Sequence, residues 1–333
     1  EMCIRDSVGS EMCIRDSQSS DQLALVKKKY GFDLPVSRQF ILYLNDLSPL
    51  SMHSLVQNDI SYFSTEKYSA FPLIQISQYV FALKWPYLRT SYQKRGKKVS
   101  TVIAETFSNT FVLAVASISI AIVMGVLLGV VATLLYNTWI DRWLQFVSTL
   151  CMSIPSFFSA ILFSWFFGFL YHQYTGLNMS GSLYEMDDFG EGRELQLKNL
   201  ILPAVVLGIR PIAVIIQLMR SSLLEVLSQD YIKTAYSKGL STFDVIYRHG
   251  IKNALNPVVT FISGWFASLL AGAVFVEYIF GWKGMGKEIV TALNTLDIPV
   301  IIGIVLTLSS LFILINLAVD FIYAQLDPKV KLH

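Results

Sequence analysis

From Thr106 to Ile140 the chain carries no Asp, Glu, Lys or Arg. A run of that kind leaves few options. In hydrocarbon each backbone N–H and C=O must find its partner within the element, which selects a helix. About 20 apolar residues suffice to cross the membrane. The run therefore predicts a span at about 107–135, and four more stretches read the same way: 143–171, 200–219, 257–280 and 299–323. Composition agrees, with 53% hydrophobic and 15% charged residues against about a quarter charged in soluble domains. The mean hydropathy is +0.52. The fold class expected is an all-α membrane protein with five spans. Within the first span, Gly125 and Gly129 are spaced for close helix approach. Trp143 and Tyr171 stand at the ends of the second as interface anchors, and Pro155 should kink it. Arg210-Pro211 interrupts the third. A net charge of +2 gives no reason to expect nucleic acid as a partner.

The longest polar interruption of the apolar part is Asp230–Pro257. It reads as two short helices around an elbow. Asp230 is placed to cap the first helix. Tyr231 with Ala235, and Ile232 with Tyr236, give that helix a semi-apolar face. Lys238 lies in its last turn and Gly239 just beyond, a helix stop. Ser241 followed by Asp244 reads as a second cap, and the second helix should run to about Leu255, ahead of Pro257.

The same residues carry a family likeness. Asp230, Tyr231, Thr234-Ala235, Lys238-Gly239-Leu240, Arg248-His249, Asn253-Ala254-Leu255 and Pro257 stand in the order of the conserved cytoplasmic loop of ABC importer permeases. The loop resembles most closely that of the peptide/nickel (oligopeptide/dipeptide) class of binding-protein-dependent permeases, whose proline lies as far from the glycine as Pro257 does from Gly239. The resemblance implies the type I ABC importer transmembrane domain, whose first loop helix docks on an ATPase subunit. By it, Asp230, Tyr231, Thr234, Ala235, Lys238, Gly239, Leu240, Arg248 and His249 couple the chain to that ATPase. It implies a non-catalytic permease that moves peptides, or a related solute such as a nickel complex, by alternating access. The implied partners are a second homologous permease, two ATPases holding ATP and magnesium, an extracytoplasmic solute-binding protein and membrane lipid. The implied location is the bacterial inner membrane, multi-pass, with a cytoplasmic C-terminus. Read from residues alone, an ion-coupled secondary transporter or a channel stays open. It needs its own ion site, and only Arg210-Pro211 and Pro155 hint at the broken helices such sites use.

The N-terminal part is different. Residues 1–20 repeat EMCIRDS at a period of ten and resemble translated sequencing adapter, so they are set aside as a non-native repeat. Residues 21–101 are read as an extramembrane segment, with loop from Ser48 to Ser64. Tyr30 to Leu44 resembles the part of the family that follows its first membrane helix. The family has six spans; here five are expected and the first is missing. The domain layout is completed by a transmembrane domain at 102–326, with its coupling loop at 220–256, and a tail at 327–333.

Sidedness follows from basic residues. With the Asp230 loop inside, Arg142, Arg220, Lys233, Lys238, Arg248, Lys252, Lys329 and Lys331 are inside, and Arg193, Lys198, Lys283 and Lys287 outside. The cluster Lys94-Arg95-Gly96-Lys97-Lys98 falls outside, against the rule, and is read as solvated or headgroup-facing. Arg210 is a charge in a span, which either lines the translocation path and meets a peptide carboxylate or snorkels. Glu277 and Asp320, near span ends, are assigned capping or interhelix bonding. Gly281 to Glu288 approaches a phosphate-binding loop, but Glu288 replaces the hydroxyl that such a loop needs. Glu185, Asp187, Asp188, Glu191 and Glu194 form an acidic loop that reads as solvated. The four His are scattered and Cys151 lies alone in an apolar run, so no catalytic or metal-ligating set is expected.

Overall fold

The computed structural model describes residues 31–56, 59–64, 68, 70–94, 96–186 and 192–326, with the side chains of 193, 271, 272, 320 and 322–326 outside the description. The repeat at 1–20, the tail 327–333, Arg95, Asp187, Asp188, Glu191 and the Asp320 side chain therefore lie outside the described residues. The chain divides into two units, 1–89 and 90–333.

In the first unit helix α1 (Val36–Leu47) starts after Pro35. It is followed by strands β1 (Leu50–Ser54), β2 (Ala70–Ile76) and β3 (Tyr79–Lys84), an antiparallel sheet in the order β1-β3-β2. The loop expected from Ser48 to Ser64 thus contains a strand. The period of two is present in Leu50, Ser51, Met52 and His53, but the polar residues are the buried ones. His53 Nε2 lies 3.2 Å from Lys84 Nζ, and the Tyr68 hydroxyl donates to Asp46 at 3.1 Å. Burial, followed by the nearby Asp46 carboxylate, pushes the Tyr68 phenol above its ordinary range.

The second unit is built on α2 (Val99–Leu134), whose 36 residues make a rod of roughly 54 Å. Next come α3 (Trp139–Ser153) and α4 (Ser156–Phe163), which passes into a wide π-helical turn, Ser164–Leu170. The expected kink at Pro155 is a bend of 107°. Ile154 is extended (φ −80°, ψ 129°), as a residue before proline prefers, so the helix is broken there. A hairpin of β4 (Tyr184–Met186) and β5 (Arg193–Leu195) leads to α5 (Lys198–Leu227). The interruption expected at Arg210-Pro211 does not occur, because α5 runs on through both Pro203 and Pro211. The chain then forms α6 (Asp230–Ser237), a further helical segment to Ala254, α7 (Asn256–Gly272), α8 (Val274–Ile279), α9 (Met285–Asn294) and α10 (Ile298–Leu326). Among the described residues three helices are long and apolar enough to cross a membrane: Val99–Leu134, Lys198–Leu227 and Ile298–Val319. The stretch 143–171 falls in the bent pair α3–α4, and 257–280 in the 17-residue α7 followed by α8.

Helices α2 and α5 run side by side in the same direction. Ser117 faces Gly208, Gly125 faces Ile215 and Gly129 faces Met219. A Cβ at Gly129 would lie 2.6 Å from that of Met219, so the helices meet this closely only over glycine. Around the seam Leu113, Leu202 and Val206 pack with Leu269 of α7 and with Trp282. Farther along, Ala121 and Ile215 pack with Val258.

The glycine-rich turn before α9 holds an anion from its own chain. Glu277 is fully buried. Its carboxylate accepts from Gly286 N–H (2.7 Å), Lys287 N–H (3.2 Å) and the Thr110 hydroxyl (2.7 Å). Thr110 in turn accepts from Met285 N–H at 2.8 Å. Free amides at a helix start attract negative charge. Here Glu277 satisfies them, which is the interhelix capping role expected of it. At the same end Ser91 donates to Asp297, just before α10, and Lys94 pairs with Glu288. Lys94 and Lys97 of the basic cluster are thus both engaged, Lys97 with Glu105.

Candidate functional site

The polar loop folds at the opposite end of the second unit from Ser91 and Glu277. After Leu227 the backbone turns extended at Gln229, and α6 begins. Asp230 does not cap the helix. It is the first helical residue, and its carboxylate takes Lys233 Nζ at 2.8 Å. Both partners are largely exposed, so the pair contributes little. Nor does the helix bury the faces expected. Ile232 and Ala235 are the buried pair, packed on Val226, Leu227 and Val245, while Tyr231 and Tyr236 stay exposed. Ala235 follows Ile232 at i+3, which puts both on one helix face. Lys233, Thr234 and Lys238 face outward.

The stop is as expected. Lys238 is the C-cap, and Gly239 has φ +80°, a left-handed conformation suited to glycine. Leu240 N–H donates back to Ala235 C=O at 3.4 Å. Ser241 caps the next segment: it accepts from Asp244 N–H at 3.2 Å and donates its hydroxyl to the Asp244 carboxylate at 2.7 Å. The helix then widens into a π-helical stretch, Val245–Ile251, before Lys252–Ala254. Gly250 there sits against Leu223 of α5. Arg248 pairs with Asp244 at 3.4 Å, and both Arg248 and His249 are exposed. Asn253 Nδ2 donates to the Tyr231 hydroxyl at 2.9 Å, tying the second segment back to α6. Eight of the nine residues selected from the sequence thus lie on the outer surface of one elbow; Ala235 instead fixes that elbow to the bundle.

Sequence reasoning missed the brace behind the elbow. Arg220 of α5 donates from Nε and Nη2 to the Asp141 carboxylate at 2.6 and 2.7 Å. Asp141 is 2% exposed and also accepts from Asn137 N–H at 3.0 Å. The guanidinium lies 5.3 Å from the centre of the Tyr136 ring. No periodicity links positions that far apart. Arg210 is exposed on α5, far from this brace, and has no hydrogen-bond or ion-pair partner among the described residues.

A family model described as the binding-protein-dependent transport system inner membrane component matches residues 125–332. The chain belongs to this family. A putative peptide permease of Brucella suis biovar 1 is 36% identical over 72% of the chain and 74% of its own length. The dipeptide transport system permease protein DppB of Bacillus subtilis strain 168 is 35% identical over 78% of the chain and 80% of its own length. An inward-facing structure of the MetNI methionine ABC transporter covers 68% of the permease and 97% of the matched chain, with a TM-score of 0.55 at 15% identity. That likeness shows a shared permease fold. The permease is a multi-pass inner membrane component of a binding-protein-dependent ABC importer, and separate ATPase subunits hydrolyse the ATP. Membership sets aside the ion-coupled transporter and the channel.

Proposed function

We propose that the permease moves peptides, or a related small solute such as a nickel complex, by alternating access driven through α6. The names of the relatives support the substrate class. One observation carries the coupling role: α6 is a separate short helix whose buried pair, Ile232 and Ala235, locks it to α5 and to the segment leading into α7, while its polar face is free. A push on that face moves α5 and α7 with it, because close-packed apolar contacts transmit displacement rather than absorb it. On this reading the permease pairs with a second homologous permease and two ATPase subunits, which hold ATP and its magnesium. The helix Asp230–Ser237, the cap Lys238, Gly239 and Leu240 form the driven element, and Arg248 and His249 flank it. The elbow and the C-terminus face the cytoplasm. ATP-driven closure of the ATPases shifts the spans between outward and inward openings, a two-state change. Arg210, exposed on α5 and without a partner among the described residues, lines the path and meets the substrate carboxylate.

The test is Gly239→Pro or Ala235→Asp. Proline is confined near φ −65° and does not fit φ +80°. An aspartate at 235 puts a charge into the Ile232–Val245 contact. Both variants are expected to insert normally and to lose at least tenfold in peptide uptake by vesicles carrying the whole importer. Unimpaired uptake overturns the coupling role.

A further inference from the structure

The sheet of the first unit is inside out. Residues paired across antiparallel strands share a face. Leu50, Leu83 and Phe71 form one such row, and Met52, Phe81 and Ile74 the next. All six are between 41% and 77% exposed. The other face holds Ser51, His53 and Lys84, which are buried. Asp, Glu, Lys and Arg occur once in the three strands, as that Lys84. The outer face is therefore apolar and uncharged, which water disfavours, and such patches mark interaction sites. At roughly 200 Å² for a complete large apolar side chain, the six expose about 700 Å². Stable specific interfaces bury roughly 600–1,000 Å² on each partner, so this face is large enough for one.

Its chemistry selects the partner. Interfaces between permanent or identical subunits are more apolar than those that form and part, so an uncharged face fits a permanent neighbour. Hydrocarbon is a poor one, because β2 is an edge strand and open edges do not enter it. Nor does that edge favour strand addition, since Pro72 in β2 has no N–H to donate. The face itself remains. A flat uncharged face is its own complement: two sheets stack about 10 Å apart with interdigitating side chains, and neither repels the other. We propose that this face packs on the same face of a second copy of the chain, in a two-fold contact. The first unit is then a pairing module, and the second permease of the importer is a copy of this chain. This rests on the reading that the importer holds two permease subunits.

The experiment uses the complete importer in lipid nanodiscs, with two differently tagged copies of the chain expressed together. Phe81→Cys, at the middle of the face, is placed in a background lacking other cysteines. A bismaleimide with a reach of about 10 Å is expected to join the two tags covalently. Met52→Glu with Ile74→Glu, added to this background, is expected to lower the yield of joined tags at least tenfold. Both side chains are exposed, so the unfolding midpoint should stay where it is. Each single variant repeats the measurement should the double variant not insert. Val36→Glu, exposed on α1, should leave the yield unchanged. An undiminished yield in the Met52 and Ile74 variants, or an equal loss with Val36→Glu, overturns the proposal. Cross-links from position 81 to a different permease chain overturn it and leave the paired reading standing. Recovery of one tag with no second permease of any kind overturns both. Quenching of a bimane at position 81 by brominated lipid places the face on the bilayer and also overturns the proposal.

Discussion

The Asp141–Arg220 pair shows what a single residue does here. A carboxylate 2% exposed is stable only because a two-pronged guanidinium and a backbone amide satisfy it. The pair ties the start of α3 to the end of α5, directly behind the elbow. Arg220→Ala strands the carboxylate and is expected to cost about 3 kcal/mol, read as a lowered unfolding midpoint in detergent. The double replacement, Asp141→Ala with Arg220→Ala, should cost less than the two single losses added. Additive losses would mean that the two charges stand alone. Glu277 makes the same point at the other end, where a carboxylate occupies the amides that a glycine-rich turn leaves open.

Helices set the next constraint. The spacing of Gly125 and Gly129 signals close approach, but only the structure names the partner, α5 rather than a neighbouring helix. Gly129→Ala forces a methyl group into Met219 and should lower stability clearly, by about 1–3 kcal/mol. Gly264→Ala in α7 meets nothing within 4 Å, so the better helix propensity of alanine should leave stability unchanged or slightly higher. Equal effects at the two positions, measured by thermal unfolding, would refute packing as the reason for Gly129. Proline shows how uneven element-scale signals are. Pro155 breaks a helix completely, whereas Pro203 and Pro211 are absorbed within α5. Ring and amide are the same at all three sites; the surrounding packing differs.

At the scale of the whole second unit, α2 and α5 share one direction and the bent pair α3–α4 returns between them. This puts Lys97 and Lys238 at opposite ends of a helix roughly 54 Å long. Lys97→Cys and Lys238→Cys, each in a background lacking other cysteines, should therefore react with an impermeant maleimide from opposite faces of the membrane. Labelling of both from one face would break the topology and the cytoplasmic placement of the elbow. The basic residues Lys94 and Lys97 stand at the end opposite the elbow, and their pairs with Glu288 and Glu105 offset part of their charge.

Hydrophobic run length, turn chemistry and the order of residues around Gly239 were legible without coordinates. These are local properties, fixed by the solvent a segment meets and by the φ values its residues tolerate. They were enough for the helical membrane class, the positions of the apolar stretches, the helix stop at Lys238-Gly239 and the Ser241 cap. They misjudged Asp230, because a cap depends on where the preceding chain enters, and the face of α6 that turns inward, because the bundle it packs on selects Ile232 with Ala235. The strand Leu50–Ser54 was hidden because its buried face is polar: its own His53 meets Lys84 of β3 and the ring of Tyr68. The Asp141–Arg220 brace, the partners that Glu277 caps and the exposed, stacked rings of Phe243 and Tyr247 were decided by tertiary structure alone. Each depends on which distant surfaces meet or remain uncovered, and close packing settles that for the chain as a whole rather than segment by segment.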